Sequence, residues 1–266
     1  MNYIALGYWD IAVAASLVLI HAVLSLVLRL GLARQILVAV LRLVVQLTLL
    51  GVVLEALFAV VSPLWTGVAA LVMVSFAGYE AMARQRRRLS GPWGYGVGAG
   101  AILMAAGLIT GLALSTAVQP DPWYDPHYAI PLLGMVLGNT MTGVALGLNT
   151  LTATARRDRA AIEARLALGA DKWTALGPTL REAMLSGMIP IINAMAATGL
   201  VSIPGMMTGQ ILAGAAPEDA IKYQMLVMFM IAGGTGFGVF AAVYAGAARL
   251  SDSRHRLRLD RLAGSD

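Results

Sequence analysis

The sequence predicts an all-α fold, a polytopic bundle of transmembrane helices, and three observations lead there. Of the 266 residues, 59% are hydrophobic and 12% charged, where an ordinary soluble domain carries about 25% charged residues. The apolar residues gather into seven runs, near or beyond the roughly 20 residues that a helix needs to cross a bilayer. The charged residues collect in short blocks between those runs.

The spans are expected near 9–29, 36–60, 64–82, 94–118, 128–154, 182–212 and 221–249, together making one transmembrane domain over residues 1–266. The first follows the leader "MNYIALGYWD", which has no basic residue and ends in Asp10; a cleaved signal carries a basic start, so this run should stay as a helix. The second holds Arg42 and Gln46 one turn apart, the third Glu80 near its inner end, the fifth Asn139 and Thr142, and the sixth Asn193 and Gln210. Ionisable and polar groups inside a membrane mark functional positions by default, with ties between helices as the competing reading. Gly107 and Gly111, Gly134 and Gly138, Gly143 and Gly147, and Gly234 and Gly238 have the small-xxx-small spacing that lets helix backbones approach closely.

Orientation follows from charge, because Lys and Arg accumulate in cytoplasmic loops. Arg29 and Arg34, "RQRRR" at 84–88, the connector 156–172 and the tail 249–261 alternate with loops holding Asp10, Glu55, Asp121, Asp125, Glu218 and Asp219 against the single cation Lys222. The N-terminus is therefore expected outside and the C-terminus in the cytoplasm, with a basic tail over 249–266. A formal charge of +5 in separate blocks does not make the one basic face of a nucleic-acid binder.

Several chemistries lack their residues. There is no cysteine, and histidine occurs only at 21, 127 and 255, so neither a disulfide framework nor a zinc site of the usual spacing is expected. Ser186-Gly187 is preceded by Met184-Leu185 rather than by the G-x of a G-x-S-G nucleophile, and no G-x-G-D motif occurs. No G-x-x-x-x-G-K-[ST] phosphate loop is present. No cofactor is expected in this chain, and if ATP drives it, ATP and Mg belong to a separate ATPase.

Residues 156–177 form the long connector. In "RDRAAIEARLALGADKWTAL" the apolar Ile162, Leu166, Leu168, Trp173 and Leu176 are interleaved with charge, which predicts a short surface helix closed by Gly169 as its C′ residue. The run Glu163-Ala164, Leu168-Gly169-Ala170, then Pro178 is similar to the coupling loop of ABC-importer permeases, with Arg165 where that pattern has a second Ala. The expected ATPase contacts are Ile162, Glu163, Leu166, Leu168, Gly169 and Ala170. A helix lying on the lipid surface is the competing reading.

"SIPGMMTGQILAGAAP" at 202–217 is apolar yet carries two prolines. A proline cannot donate to the carbonyl four residues back, so Pro204 is expected to break the sixth span near the outer face, and Pro190 to free the carbonyl of Ser186. Broken helices at membrane depth are tolerated where they are buried in protein or line a cavity; a plain proline kink is the alternative. The pathway or gate is then expected around Arg42, Gln46, Asn139, Thr142, Asn193, Pro204, Gly205, Met206, Met207, Gln210 and Gln224. Glu218 and Asp219 are the candidates for meeting a metal. Met195, Met206, Met207, Met225, Met228 and Met230 crowd the last two spans; thioethers suit Cu(I) better than Fe(II) or Mg(II), and they are also flexible packing material.

With "LRLVVQL", "IPLLGMVLGNTM", "EARLALGA", "DSRH" and above all "TGLVSIPGMMTGQILAGAAPEDAIKYQ" in hand, the chain resembles the FetB family of bacterial iron-export ABC permeases, related to plant permeases linked to aluminium tolerance. The resemblance runs from about Arg42 to His255. It implies a permease of the bacterial inner membrane that pairs with a separate ABC ATPase, as two copies of each, and expels a metal ion, iron in that family, from the cytoplasm. Another substrate such as a nucleotide sugar, or a scaffold or sensor without transport, are the alternatives.

The absence of native cysteine permits a direct test of orientation. A membrane-impermeant maleimide should label a Cys placed at Glu218 in intact cells, and one placed at Leu168 only after permeabilisation. The opposite pattern would overturn the assigned topology.

Overall fold

The computed structural model describes residues 7–263; residues 1–6 and 264–266 of the expected domain lie outside that range. The described residues are predominantly helical, and they divide into two compact units, one of residues up to 61 with 212–214, the other of 62–211 with 215 onward.

The first unit is a helical hairpin of α1 (Tyr8–Val27) and α2 (Ala33–Ala59). Its turn is tied by Ser25, whose hydroxyl accepts from the Leu32 N–H at 2.9 Å. Both helices are apolar, yet α1 buries only Ala22 and Ser25, and α2 only Ala33 and Leu57. Apolar side chains left outward suit hydrocarbon, where no water penalises them.

The second unit contains α3 (Pro63–Ala83), α4 (Trp93–Ala113, continued by a π-helical turn at Leu114–Val118), α5 (Pro126–Arg157), α6 (Arg159–Ala167), α7 (Lys172–Ala197), α8 (Gly205–Leu212) and α9 (Pro217–Arg249). Among the described residues six helices are long and apolar enough to span a bilayer, namely α1 to α5, with α4 taken through Val118, and α9. The expected sixth span, 182–212, is not one helix. Its residues divide between α7, which starts ten residues earlier at Lys172 and carries Arg181 and Glu182, and the separate α8. The short surface helix is present as α6, but the connector around it is tighter than 156–177, because α5 continues to Arg157 and α7 begins at Lys172.

α5 is the centre, packing against α9, α7, α4 and α3. Glycine makes two of these contacts possible. A Cβ on Gly143 would lie 2.9 Å from the Gly187 carbonyl oxygen, and one on Gly187 would lie 2.8 Å from that of Gly143, so α5 and α7 meet backbone to backbone. Val239 of α9 closes the same point, within 2.9 Å of both absent methyls. In lipid no hydrophobic effect drives helices together, so van der Waals contact at this range supplies the cohesion. Of the four expected glycine pairs, Gly143 with Gly147 and Gly234 with Gly238 sit in such contacts, whereas Gly107, Gly111 and Gly138 face open space.

The break in the sixth predicted span is not made by proline. α7 continues through Pro178 and Pro190. It ends at Ala197, where Gly199 adopts φ +89° and its N–H donates to the Ser202 carbonyl at 2.9 Å. Thr198 already leaves the helix, with an extended ψ of 130°, and the left-handed Gly199 turns the chain there, a conformation that glycine takes without the cost of a Cβ. Pro204 instead opens α8, its carbonyl accepting from the Thr208 N–H at 3.0 Å.

The basic tail is folded. Leu262–Ala263 (β2) pairs antiparallel with Arg88–Leu89 (β1), the Ser90 N–H donates to the Arg261 carbonyl at 2.8 Å, and Arg261 Nη1 donates to the carbonyls of Arg249 at 2.8 Å and Ser251 at 3.3 Å. Arg86 N–H donates to Asn149 Oδ1 of α5 at 3.1 Å. Two of the basic segments assigned to one membrane side, 84–88 and the tail, are thus joined at one end of this unit.

Gly187→Val should lower thermal stability by about 1–3 kcal/mol or more, since the new side chain has no space to enter, while Gly107→Ala should stay within about 0.5 kcal/mol; melting in detergent followed by size exclusion separates the two. Arg261→Ala should speed tryptic cleavage at Arg254 to Arg258, and an unchanged cleavage rate would mean that the clasp does not hold the tail.

Candidate functional site

Two groups of the expected site residues lie at opposite ends of α7, which at about 1.5 Å per residue spans some 39 Å over its 26 residues. One end carries the α6 hairpin, the other a cleft at the helix break.

At the hairpin, α6 is closed as its sequence predicts. Gly169 has φ +91°, its N–H donates to the Leu166 carbonyl at 3.0 Å, and the Ala170 N–H donates to the Arg165 carbonyl at 3.1 Å, the paired bonds of a Schellman motif. Asp171 caps α7, accepting from Thr174 N–H at 3.1 Å, from the Thr174 hydroxyl at 2.8 Å and from Trp173 N–H at 2.7 Å. These bonds, those from Thr174 foremost, hold its carboxyl below the ordinary carboxylate range. A lowered pKa means that the cap is intact at neutral pH and is lost only as pH falls through that value.

Ile162 is fully buried. It therefore cannot touch a partner, as the sequence reading had it do, and instead fastens α6 to the body of the unit. Leu166 and Ala170 pack partly against the same core, and Glu163 pairs with Arg159 at 2.8 Å on the exposed face. Leu168 is 89% exposed at the tip. A second attachment, absent from the sequence reading, is the tail: Lys172 N–H donates to His255 Nδ1 at 3.1 Å. Nothing local in the sequence links positions 83 residues apart.

The cleft has a volume of about 540 Å³. Its walls are the end of α7 with Met195, the turn with Thr198, Gly199 and Ile203, the start of α8 with Pro204 and Met207, and one face of α9 including Gln224, Met225, Met228 and Phe229. Of the residues expected on a pathway, Pro204, Met207 and Gln224 are thereby brought together. Gln224 is buried and its Oε1 has no hydrogen-bond partner; the same holds for the buried Gln210 Oε1 on α8. Met206 packs partly against the core and Gly205 is exposed at the first turn of α8. Met230 belongs to the buried core.

The remaining candidates lie elsewhere. Asn139 Nδ2 donates to the Met135 carbonyl at 3.0 Å and Thr142 Oγ1 to that of Gly138 at 3.0 Å, so both are engaged with their own helix. Asn193 is exposed on α7, and Arg42 and Gln46 are exposed on α2 in the first unit. Glu218 and Asp219 sit in the first turn of α9, 80% and 71% exposed, and pair with Lys222 at 2.7 and 3.7 Å. Among the described residues no three His, Asp or Glu side chains gather where they could hold a metal ion.

Comparison with known proteins gives the family. The model of the uncharacterised protein family UPF0014 matches residues 8–250. The UPF0014 membrane protein STAR2 of Oryza sativa subsp. japonica is 36% identical over 249 residues, 91% of this chain and 85% of that protein. The probable iron export permease protein FetB of Escherichia coli K12 is 32% identical over 261 residues, 95% of each chain, and the protein ALUMINUM SENSITIVE 3 of Arabidopsis thaliana 32% identical over 233 residues, 88% of this chain and 83% of that one. No solved structure matches. A match over almost the whole chain, on an apolar helical bundle with a broken helix and a surface hairpin, makes this chain a multi-pass membrane protein that belongs to the UPF0014 family.

Proposed function

We propose that this chain is the membrane subunit of an ATP-driven metal export permease, working as two copies with two copies of a separate ABC ATPase in the bacterial inner membrane. One observation carries the reading: a single helix, α7, joins a protruding hairpin at one end to a cleft beside a helix break at the other. Displacement of the hairpin by a closing ATPase would be carried along α7 to the Gly199 turn, where the chain is free to hinge.

On this reading the hairpin faces the cytoplasm, as the basic segments gathered around it favour. Leu168 enters a pocket on the ATPase, Glu163 and Arg159 border the contact, and the Gly169 turn sets its angle. The ATPase supplies ATP and Mg, and this chain holds no cofactor of its own. Transport direction then depends on which face of the cleft has the higher affinity in each nucleotide state. The name of the Escherichia coli relative supports iron as the exported metal. A nucleotide sugar is the weaker reading, since no charged side chain lines the cleft to meet a diphosphate.

Because Leu168 contacts little within its own chain, Leu168→Glu should leave the melting temperature unchanged while removing the co-purifying ATPase. Ile162→Ala should lower both, since it leaves a cavity beneath α6, by about 2–5 kcal/mol in stability. Undiminished ATPase recovery with Leu168→Glu would exclude the hairpin as the docking element.

A further inference from the structure

We propose that Arg86, Arg87 and Arg88, with Trp93 at the start of α4, form a binding site for the phosphate headgroup of an anionic phospholipid, whose acyl chain lies along the outward face of α4. The site is independent of transport and stands whether or not the permease reading does.

Ion pairing leaves these three side chains over. Arg84 lies 3.8 Å from Glu80, Arg256 2.8 Å from Asp252 and Arg258 2.7 Å from Asp260, while Arg261 donates to main-chain carbonyls. Among the described residues no carboxylate pairs with Arg86, Arg87 or Arg88. The backbone beneath them is nonetheless fixed. Arg86 N–H donates to Asn149 Oδ1 at 3.1 Å, the Arg87 carbonyl accepts from the Thr152 hydroxyl at 3.1 Å, and Arg88 belongs to β1. Adjacent guanidiniums without counter-charge repel one another, and a phosphate relieves that repulsion through short, charge-assisted bonds that suit the planar fork of arginine.

Position decides what brings the phosphate. The three arginines lie between α3 and α4, both apolar and long enough to cross a bilayer, so their side chains meet the headgroup layer. β1 rests on the first turn of α4, where a Cβ on Gly94 would lie 2.5 Å from the Leu89 carbonyl oxygen and 3.9 Å from Arg88 Cβ. Trp93 and Tyr95 are exposed on that turn, and such aromatic residues sit at headgroup depth. Arg249, 4.9 Å from the Trp93 ring centroid, fixes the ring by a cation–π contact. Beyond Trp93 the same outward face of α4 runs through Gly96, Gly100 and Met104, at the helical spacing of three and four residues. Cβ atoms on Gly96 and Gly100 would meet nothing within 4 Å, and Met104 is exposed. This shallow trough suits an acyl chain below a headgroup, and a free phosphate would leave it empty. An anionic lipid fits better than a zwitterionic one, because the arginines repel a choline cation and attract net negative charge.

Titration of the full-length chain in mild detergent with phosphatidylglycerol, read as melting temperature, should show a saturable rise that phosphatidylcholine does not give. High salt should diminish the rise, since it screens exposed charge. The paired substitution Arg86→Gln and Arg88→Gln leaves the main-chain bonds of this segment in place, so without lipid it should melt as the native chain does. It should raise the phosphatidylglycerol concentration needed for half the effect about tenfold or more. Gly100→Leu fills the trough and keeps every arginine, and it too should weaken the response, which serves as a second test if the paired variant is unstable. Arg29→Gln with Arg34→Gln removes two cations assigned to the same membrane side but outside this segment, and should leave the titration unchanged. Inorganic phosphate should not reproduce the rise; if it does, and Gly100→Leu leaves that rise intact, the arginines hold a free anion and the lipid site is excluded. An equal rise with phosphatidylcholine, a titration unaltered by the Arg86 and Arg88 pair, or equal weakening by the Arg29 and Arg34 pair would each overturn the proposal.

Discussion

The second unit depends on one close approach, the meeting of α5 and α7 at Gly143 and Gly187 beneath Val239 of α9. In water a core is held by the expulsion of solvent, but among lipid tails apolar surface gains nothing by leaving the solvent. What remains is dispersion at short range and the shape that permits it. Two glycines facing each other let the backbones themselves touch, with the fully buried Val239 against both, while Val243 closes on Gly147 one turn along α5 and Val144 on Gly238 of α9. Because α5 also packs against α3 and α4, the register set there propagates to the rest of the unit.

The middle of α7 is pinned by Gly187, Ala183 and Ile191, and it runs unbroken through both prolines. One end is reinforced by the buried Ile162, the Asp171 cap and the His255 contact from the tail; the other releases into a glycine turn whose tip, Leu200 and Val201, is 93% and 84% exposed. The helix is thus buried at its centre, clasped at one end and followed at the other by an exposed turn.

The tail is part of the same fold. Read as a topology signal alone, its arginines need only be cationic. In the fold Arg261 donates to two main-chain carbonyls, and the backbone beside it pairs with Arg88 and Leu89. Arg249 in turn lies 4.9 Å over the Trp93 ring. Charge and structure are compatible uses of one residue, because a guanidinium can mark a membrane side and still spend its N–H groups on carbonyls.

Much was determined by the sequence alone. Hydropathy fixed the membrane class, since a helix must satisfy its own backbone in lipid and can be recognised by length and apolarity. Local chemistry placed α6 and its Gly169 closure, because a C′ glycine acts through bonds only a few residues away. What the tertiary structure decided was everything that couples distant positions: that α7 ends at the Thr198–Gly199 turn rather than at Pro204, that Gly143 packs while Gly107 does not, that Ile162 turns inward, and that methionines of three helices share one cleft. Each depends on which face of a helix meets which neighbour. An apolar residue suits lipid and protein core alike, so composition along the chain cannot choose between them.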